Sequence, residues 1–445
     1  MIPNYRHDNK VEKEEIMAKK ANTNRNWTIM VYLAGDNNLD SAGVVDLNEM
    51  KTVGTTDRVA VLAQFDRAGA KGATVRYCLR KGTPVAKDAV QTLGETNMGD
   101  PKVLEDFVTW GATNYPADHY LLVLWNHGAG WDDANIYQGD VFSGAAPPVS
   151  RKKQPVVTRG AAAGAKPIGF AQVRAGLSRT RRALFNTTVQ AAVQQRGIGY
   201  DDQAKDFLDN IELKRVMTRI KKKLARKIDI LGMDACLMSM AEVAYQMRDV
   251  ADYTVGSEET EPGDGWPYDR ILKSLAAKPT LTPEDLSKTI VSQYLASYKA
   301  GDNVTQSAMK LAALKPLASA VDGLAKALSK ILADAASRAA LINARAQVQE
   351  YSRPYDDYCD LLDLCDLIDK GVANPAVKTA CAAVKQAAAA AVVATGYKGP
   401  VVDNSRGVSI YFPKRKLSPL YRTLDFTKQS KWDEFLMAYL AGLGR

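Results

Sequence analysis

The sequence predicts an α/β fold, a mostly parallel sheet sandwiched by helices, with a largely helical region at the C-terminal end. Short runs that are apolar throughout alternate with segments whose apolar residues have helical spacing. Continuous apolar strands are typical of parallel sheets that are covered on both faces. Beyond residue 281 the composition changes to Ala- and Leu-rich segments, which predict helices.

In the first half, strands are predicted at residues 27–34, 58–65, 74–80 and 120–125, of which 74–80 is an edge strand. Helices are predicted at 39–53 and at 101–110, where Pro101 suits a first helical turn. In the second half, strands are predicted at 228–233, 253–257 and 407–412. The remaining predicted helices are 213–227, 237–248, 281–300, 307–335, 375–395 and 431–440.

Composition excludes several classes of protein. The 445 residues are 46% apolar and 24% charged, which is typical of a globular enzyme or binding protein and not of a disordered chain. No stretch approaches the ~18 consecutive apolar residues of a membrane helix. Five cysteines argue against a disulfide scaffold. The first 26 residues lack the apolar core of a secretory signal, which favours the cytoplasm unless a leader has been removed.

The net charge of +9 is concentrated in one segment. Residues 141–230 carry 19 basic and 6 acidic side chains, so the rest of the chain is mildly acidic. Within this segment, 141–200 contains no Asp or Glu and is rich in Ala, Gly, Pro and Ser near its start. This composition predicts a flexible basic insert in an otherwise acidic protein.

Two predicted strands end in residues that can carry chemistry. His127 follows the strand at 120–125, and Cys236 follows the strand at 228–233. Polar groups at the carboxyl ends of parallel strands commonly form binding sites. A helix starting directly after Cys236 would lower the thiol pKa through its dipole. The alternatives are a structural turn histidine and a buried core cysteine.

The motifs around these positions resemble the clostripain family of cysteine peptidases. The resemblance spans about 27–266, is interrupted by the insert, and is weaker in the helical C-terminal third. Its motifs are Trp27-Thr28-Ile29-Met30-Val31-Tyr32, Ala34-Gly35-Asp36-Asn37-Asn38-Leu39, Leu124-Trp125-Asn126-His127-Gly128, Met233-Asp234-Ala235-Cys236-Leu237-Met238 and Glu261-Pro262-Gly263-Asp264-Gly265-Trp266. It implies a caspase-like fold and endopeptidase cleavage after Arg, with Lys as an alternative.

The resemblance also implies roles for individual residues. Cys236 would be the nucleophile, and His127 would handle the proton of the leaving amine. The backbone N–H groups of Gly128 and Cys236 would stabilise the oxyanion. Asp234 and Asp264 would line the pocket for a basic side chain, although an aspartate in a turn such as Asp264 is ordinarily a turn former.

The resemblance gives the basic insert a second meaning, because family members are often cut between the His and Cys segments to free the cleft. We therefore predict self-processing between Arg151 and Arg182. The candidate cleavage sites are Arg151, Lys152, Lys153, Arg159, Lys166, Arg174, Arg179, Arg181 and Arg182. The predicted organisation is a polar tail (1–26), a first half of the core (27–140), the insert (141–204), a second half of the core (205–280) and the C-terminal region (281–445).

The chemistry needs no cofactor, and no metal-ligand set is evident from the sequence. The resemblance allows a structural calcium ion, for which the acidic run at 356–369 is a candidate, although a solvated helical face is the simpler interpretation. Cys78, Cys359, Cys365 and Cys381 are expected to be structural. The expected partners are proteins or peptides with basic residues, and neither nucleic acid nor a membrane; oligomeric state does not follow from the sequence.

Two other functions remain open at this point. The basic insert could bind nucleic acid, but Phe170 is its only aromatic residue between 151 and 182, so stacking side chains are lacking. Alternatively, the protein could be a catalytically inactive relative that binds basic peptides in its cleft.

Overall fold

A computed structural model describes residues 24–69, 73–131, 198–201, 206–351 and 357–443. Its main element is a nine-stranded sheet with the order β13-β10-β9-β8-β5-β1-β2-β3-β4. The strands are β1 (Trp27–Gly35), β2 (Val59–Arg67), β3 (Thr74–Cys78), β4 (Ala89–Gly94), β5 (His119–Trp125), β6 (Ile198–Asp201), β7 (Asp206–Leu208), β8 (Ile228–Asp234), β9 (Ala251–Gly256), β10 (Val304–Lys310), β11 (Glu350–Tyr351), β12 (Tyr358–Asp360), β13 (Val392–Lys398) and β14 (Ser409–Tyr411).

The helices lie on both faces of this sheet and in the C-terminal region. They are α1 (Asp40–Val53), α2 (Pro101–Asn114), α3 (Asn210–Leu224), α4 (Ala241–Met247), α5 (Tyr268–Ala277), α6 (Pro283–Ser297), α7 (Leu314–Ile331), α8 (Ala335–Gln347), α9 (Leu361–Gly371), α10 (Pro375–Ala391), α11 (Asp425–Gln429) and α12 (Trp432–Gly442). None of the helices within the described ranges is long and apolar enough to span a membrane.

The centre of the sheet is parallel, as the continuous apolar runs predicted. β9, β8, β5, β1 and β2 pair in parallel, whereas β3, β4, β10 and β13 join antiparallel at the two sides. Alternate residues of β1 enter two separate cores, with Ile29 on one face and Met30 on the other. The predicted α/β fold with a mostly parallel, helix-covered sheet is confirmed.

Three predicted elements differ from the structure in kind or in position within the sheet. The segment predicted as one helix from 307 to 335 begins with β10, and α7 starts only at Leu314. The helix predicted to reach 395 ends at Ala391, where β13 begins. The predicted edge strand at 74–80 is covered by β4. In the first two cases the strand segments, VTQSAMK and VVATGYK, carry β-branched residues that favour a strand, and they pair within the sheet next to Ala-rich helices.

The C-terminal region also holds a small antiparallel sheet, β11-β12-β14, next to the main core. Glu242, fully buried on α4, joins the two. One of its carboxyl oxygens, Oε1, accepts hydrogen bonds from the Tyr411 N–H at 3.0 Å and the Tyr421 hydroxyl at 2.7 Å. Its other oxygen, Oε2, is buried and has no hydrogen-bond partner among the described residues. Burial raises the pKa of Glu242 to about 7.

Glu242→Gln tests the effect of this carboxyl on stability. When the pKa of a carboxyl is raised in the folded state, the protein loses stability as the pH rises from the unfolded-state pKa, 4.5, to the folded-state pKa, about 7. The full loss is about 3 kcal/mol at one pKa unit per ~1.4 kcal/mol. We expect the free energy of unfolding of Glu242→Gln, measured by urea denaturation, to increase relative to that of the wild type as the pH is raised from 5 to 8.

The matched control is Glu434→Gln, which changes an exposed carboxyl on α12. Its pH dependence should follow that of the wild type. Equal pH dependence of the Glu242→Gln variant and the wild type would contradict an elevated pKa at this position.

Candidate active site

The pairing of β5 with β8 places His127 and Cys236 at equivalent positions. Trp125 lies opposite Asp234 at the carboxyl ends of these parallel neighbours. His127 and Cys236 each follow two residues later, and both side chains are half-buried. The backbone N–H of Asn126 donates to the Asp234 carbonyl at 3.4 Å, so the two chains stay together beyond the paired strands. The structure therefore brings the two predicted catalytic residues to one edge of the sheet.

Gly128 permits the close approach of the two segments. A Cβ at this position would overlap the carbonyl oxygen of Cys236 and would lie 2.9 Å from both the Cys236 nitrogen and the Ala235 Cβ. No side chain larger than hydrogen fits without moving backbone. The backbone of Gly128 thus packs directly on that of Cys236, and their predicted role as paired oxyanion donors stays a prediction.

His127 is held by two asparagines that the sequence analysis did not assign. Its ring Nε2 lies 2.8 Å from Asn38 Oδ1, and its backbone N–H donates to Asn126 Oδ1. Asn126 in turn donates to the Ala34 carbonyl at 2.6 Å. An amide oxygen at this distance suits the tautomer of the ring that carries its hydrogen on Nε2. Asn38 belongs to the motif Gly-Asp-Asn-Asn and Asn126 to the motif Asn-His-Gly. Membership of these motifs was the sequence signal that could have identified them.

Burial lowers the pKa of His127 to about 4. The ring is therefore neutral at neutral pH, and its resting form can accept a proton. A neutral imidazole beside a thiol is a general base, and it becomes a general acid only after it has taken the thiol proton.

The environment of Cys236 differs from the prediction. α4 begins at Ala241, not directly after Cys236, and Leu237 has a left-handed backbone with φ +65°. The predicted stabilisation of the thiolate by a helix N-terminus is therefore wrong, because a dipole acts only over its first turn. Instead, the sulfur accepts a hydrogen bond from the Glu261 N–H at 3.3 Å.

Asp234, predicted to line the specificity pocket, lies at the end of β8 and is 4% exposed. Its Oδ2 accepts the Tyr268 hydroxyl at 2.8 Å and the Trp266 N–H at 3.3 Å. Gly265 lies against the carboxylate, since a Cβ there would be 3.1 Å from Oδ1. Burial raises the pKa of Asp234 to about 6. Asp264, the second predicted pocket residue, is half-buried and immediately precedes Gly265.

Further acidic side chains surround Asp234, and the sequence analysis did not assign them to the site. Glu261 shares a side-chain hydrogen bond with Asp234. Asp46 and Glu49 project from α1, three residues apart and hence on one helical face. Burial raises the pKa of Asp46 well above its ordinary value, and Asp234 and Asp264 add to this; it raises that of Glu49 to about 7. Within the described ranges, no Lys or Arg forms an ion pair with Asp46, Glu49, Asp234 or Glu261.

Other predicted positions lie elsewhere. All candidate cleavage sites from Arg151 to Arg182 lie outside the described residues. Cys359, Cys365 and Cys381 are buried and Cys78 is half-buried, away from Cys236 in the fold. In the acidic run, Asp360 caps α9, while Asp366 and Asp369 form ion pairs with Lys385. Asp360 and Asp363 are buried, unlike the solvated face that was expected, whereas Asp366 and Asp369 are partly exposed.

One group of carboxylates could hold a metal ion. Oxygen atoms of Asp36, Asp66 and Glu95 lie within 4.8 Å of one another, at the carboxyl ends of β1 and β2. Carboxylate oxygens are the ligands that calcium prefers. This group is separate from the run at 356–369, and the structural calcium ion stays a prediction.

Comparison with known proteins finds relatives among cysteine proteases. Clostripain of Hathewaya histolytica is 26% identical over 309 residues, which cover 62% of this chain and 48% of clostripain. The chain thus spans about half the length of that curated relative. A secreted C11 cysteine protease from Bacteroides thetaiotaomicron, in complex with an irreversible peptide inhibitor, has a TM-score of 0.59 and 22% identity over 92% of this chain and 100% of its own.

An inactive zymogen C11 protease from Parabacteroides distasonis has a TM-score of 0.62 and 20% identity, over 92% of this chain and 98% of its own. At these identities the likeness is one of fold, and it agrees with the caspase-like sheet that the resemblance implied. The model of the clostripain family matches residues 31–142 and 186–439, which include His127, Asp234, Cys236 and Asp264. The chain therefore belongs to the clostripain family.

Proposed function

We propose that this protein is a cysteine endopeptidase that cleaves peptide bonds after Arg, and also after Lys, through Cys236 and His127. The observation that carries the proposal is the site itself. Cys236 and His127 leave adjacent parallel strands at equivalent positions, directly above a group of buried carboxyls that have no basic partner among the described residues. Its partners are accordingly proteins or peptides with basic side chains.

The proposed reaction follows from the protonation states. Neutral His127 takes the proton of the Cys236 thiol, and the thiolate attacks the carbonyl carbon of the scissile bond. Because Asn38 faces Nε2, proton transfer takes place at Nδ1. The imidazolium then protonates the leaving amine, and water hydrolyses the thioester with the restored imidazole as base. The thiol proton leaves with the amine, and the attacking water supplies the proton that restores Cys236, so the scheme uses no cofactor.

Two further groups support this reaction. The N–H groups of Gly128 and Cys236 would face the developing oxyanion, where each donor is worth roughly 100-fold in rate. The Glu261 N–H, 3.3 Å from the sulfur, stabilises the thiolate that His127 generates. This hydrogen bond replaces the helix dipole that was expected to stabilise the thiolate.

The specificity follows from charge. A guanidinium or ammonium group entering beside Asp234 and Asp264 would meet carboxylates in a water-poor environment, where opposite charges attract most strongly. An acidic side chain would be repelled by the same groups. Arginine, with its planar fork, fits paired carboxylates better than lysine does.

Self-processing is part of the proposal. Residues 141–200 contain ten Arg and Lys residues and no Asp or Glu, and they connect the His127 and Cys236 segments. A segment of this composition matches the proposed specificity. Cleavage there would separate the two segments in sequence, while β5 and β8 would remain paired.

The activity is tested with fluorogenic peptides that carry Arg, Lys or Asp before the cleaved bond. We expect hydrolysis after Arg and Lys, none after Asp, and a loss of at least about 1,000-fold in kcat/KM for Cys236→Ala and His127→Ala. Cys381→Ala, which changes a buried thiol on α10, is the matched control and should stay active. Equal rates for Cys236→Ala and wild type would refute the mechanism, and a preference for Asp would refute the specificity.

The close packing of Gly128 on Cys236 is tested by Gly128→Ala. The added methyl group must displace the Cys236 carbonyl, and a misplacement of about 1 Å can cost about 100-fold in rate. We expect kcat/KM for an Arg peptide to fall by at least this factor. Gly323→Ala is the control, because a Cβ on that α7 residue meets nothing within 4 Å. Full activity of Gly128→Ala would show that the contact does not position the two residues.

Self-processing is tested by incubating the purified chain and identifying new termini by mass spectrometry. We expect cleavage after one or more of the basic residues from Arg151 to Arg182. Cys236→Ala should remain intact alone and should be cut in the same window when active wild-type protein is added. An intact wild-type chain, or identical cleavage of Cys236→Ala alone, would contradict the proposal.

A further inference from the structure

Glu261 contacts both the predicted nucleophile and the predicted specificity pocket. Its backbone N–H donates to the Cys236 sulfur at 3.3 Å, and its carbonyl oxygen lies 3.9 Å from the same atom. Its side chain turns to Asp234, with which it shares a hydrogen bond. Gln306 on β10 donates to Glu261 Oε1 at 3.3 Å. One residue thus touches the reacting sulfur through its backbone and the acidic pocket through its carboxyl.

A hydrogen bond between two carboxyl groups requires a proton, because two carboxylates offer only acceptors. The Glu261–Asp234 pair therefore holds one proton when its members are in contact. Burial, reinforced by the nearby Asp234, raises the pKa of Glu261 well above its ordinary value, in agreement with this contact. One shared proton would leave the pair with one negative charge rather than two.

Two buried polar atoms near the pair lack partners. Apart from the contact with Asp234, Glu261 Oε2 has no hydrogen-bond partner among the described residues, and Tyr294 Oη on α6 has none. Tyr294 interacts electrostatically with both Glu261 and Asp234. Buried polar atoms are nearly always paired in folded proteins. The unpaired atoms of Glu261 and Tyr294 therefore favour a site that takes a polar ligand.

The other groups that face this pair are acidic or neutral. α1 contributes Asp46 and Glu49, α5 contributes Tyr268, and α6 contributes Tyr294 and Tyr298. The turn after β8 contributes Cys236, and β10 contributes Gln306. Asp264, in the loop before α5, acts on Asp46. Because none of these groups is a cation, a positive charge beside the pair has to come from a ligand.

We propose that Glu261 determines specificity together with Asp234: the two carboxyls share one proton in the free enzyme, and a guanidinium or ammonium group displaces that proton when it binds between them. The proposal rests on the proposed preference for basic side chains and adds a residue and a coupling to it. Binding moves one proton to solvent, so the pair's charge changes from −1 to −2 while the ligand brings +1. A neutral ligand of the same shape gains nothing from releasing the proton.

The coupling makes the affinity for cations depend on pH. Each tenfold rise in proton concentration should weaken cation binding about tenfold while the pair is protonated in the free enzyme. The probes are butylguanidine and its neutral isostere butylurea, used as competitive inhibitors of Arg-peptide hydrolysis by the full wild-type chain. We expect the Ki of butylguanidine to fall about tenfold per unit between pH 5.5 and 7.5, and butylurea to bind weakly and without this dependence.

Glu261→Gln tests whether Glu261 is the residue that makes cation binding depend on pH. We expect the Ki of butylguanidine at pH 8 to rise at least about 10-fold and its pH dependence to disappear, with the substrate KM changing more than kcat. Glu434→Gln is the matched control, because it changes an exposed carboxyl on α12 and should leave the Ki profile unchanged. Glu261→Asp keeps a carboxyl and should retain the pH dependence at reduced affinity.

The outcomes separate the two proposals. No hydrolysis of Arg peptides, or equal inhibition by butylguanidine and butylurea, would refute the proposed function itself. Inhibition by butylguanidine alone, with a Ki that does not vary with pH in the wild type, would overturn the proton-sharing role while leaving basic specificity intact. This wild-type measurement decides the question even if Glu261→Gln does not fold.

Discussion

The parallel pairing of β5 with β8 is the constraint on which the site depends. Trp125 opposite Asp234 sets the register, and His127 and Cys236 follow at the same distance beyond it. A slip of one residue would turn the side chains of one strand to the opposite face. β1 and β9 hold this pair from both sides, so the two segments keep their places although the basic insert separates them in sequence. Gly128 then allows the backbones to touch.

Burial of carboxyls without basic partners is the second organising feature. Removing a charge from water is costly, and the folded chain lowers that cost by hydrogen bonds and by retaining protons. Asp234 accepts hydrogen bonds from Tyr268 and Trp266, and Glu258 accepts hydrogen bonds from Tyr351 and Gly407. Such groups bind cations strongly when they ionise. Each buried carboxyl whose pKa is raised by burial makes the stability of the folded chain depend on pH.

The C-terminal region takes part in forming the site. The Tyr358 hydroxyl donates to the Ala129 carbonyl at 2.8 Å, two residues after His127. The Ser409 N–H donates to the Ser239 carbonyl at 3.0 Å, three residues after Cys236. The Glu258 carboxyl accepts the Gly407 N–H at 2.8 Å, just before the segment that contacts the sulfur. The region thus supports both chain segments that carry the predicted catalytic residues.

The sequence by itself determined the alternation of buried strands and helices, and the positions of His127, Cys236 and Asp234 at strand ends, because apolar periodicity is a local property. Tertiary structure decided the strands β10 and β13, over which the prediction had extended neighbouring helices, since pairing with the sheet satisfies their backbone. It also placed Glu261 and Asp46 at Asp234 and Asn38 at His127. These partners are distant along the chain, and burial, which sets their protonation, exists only in the folded protein.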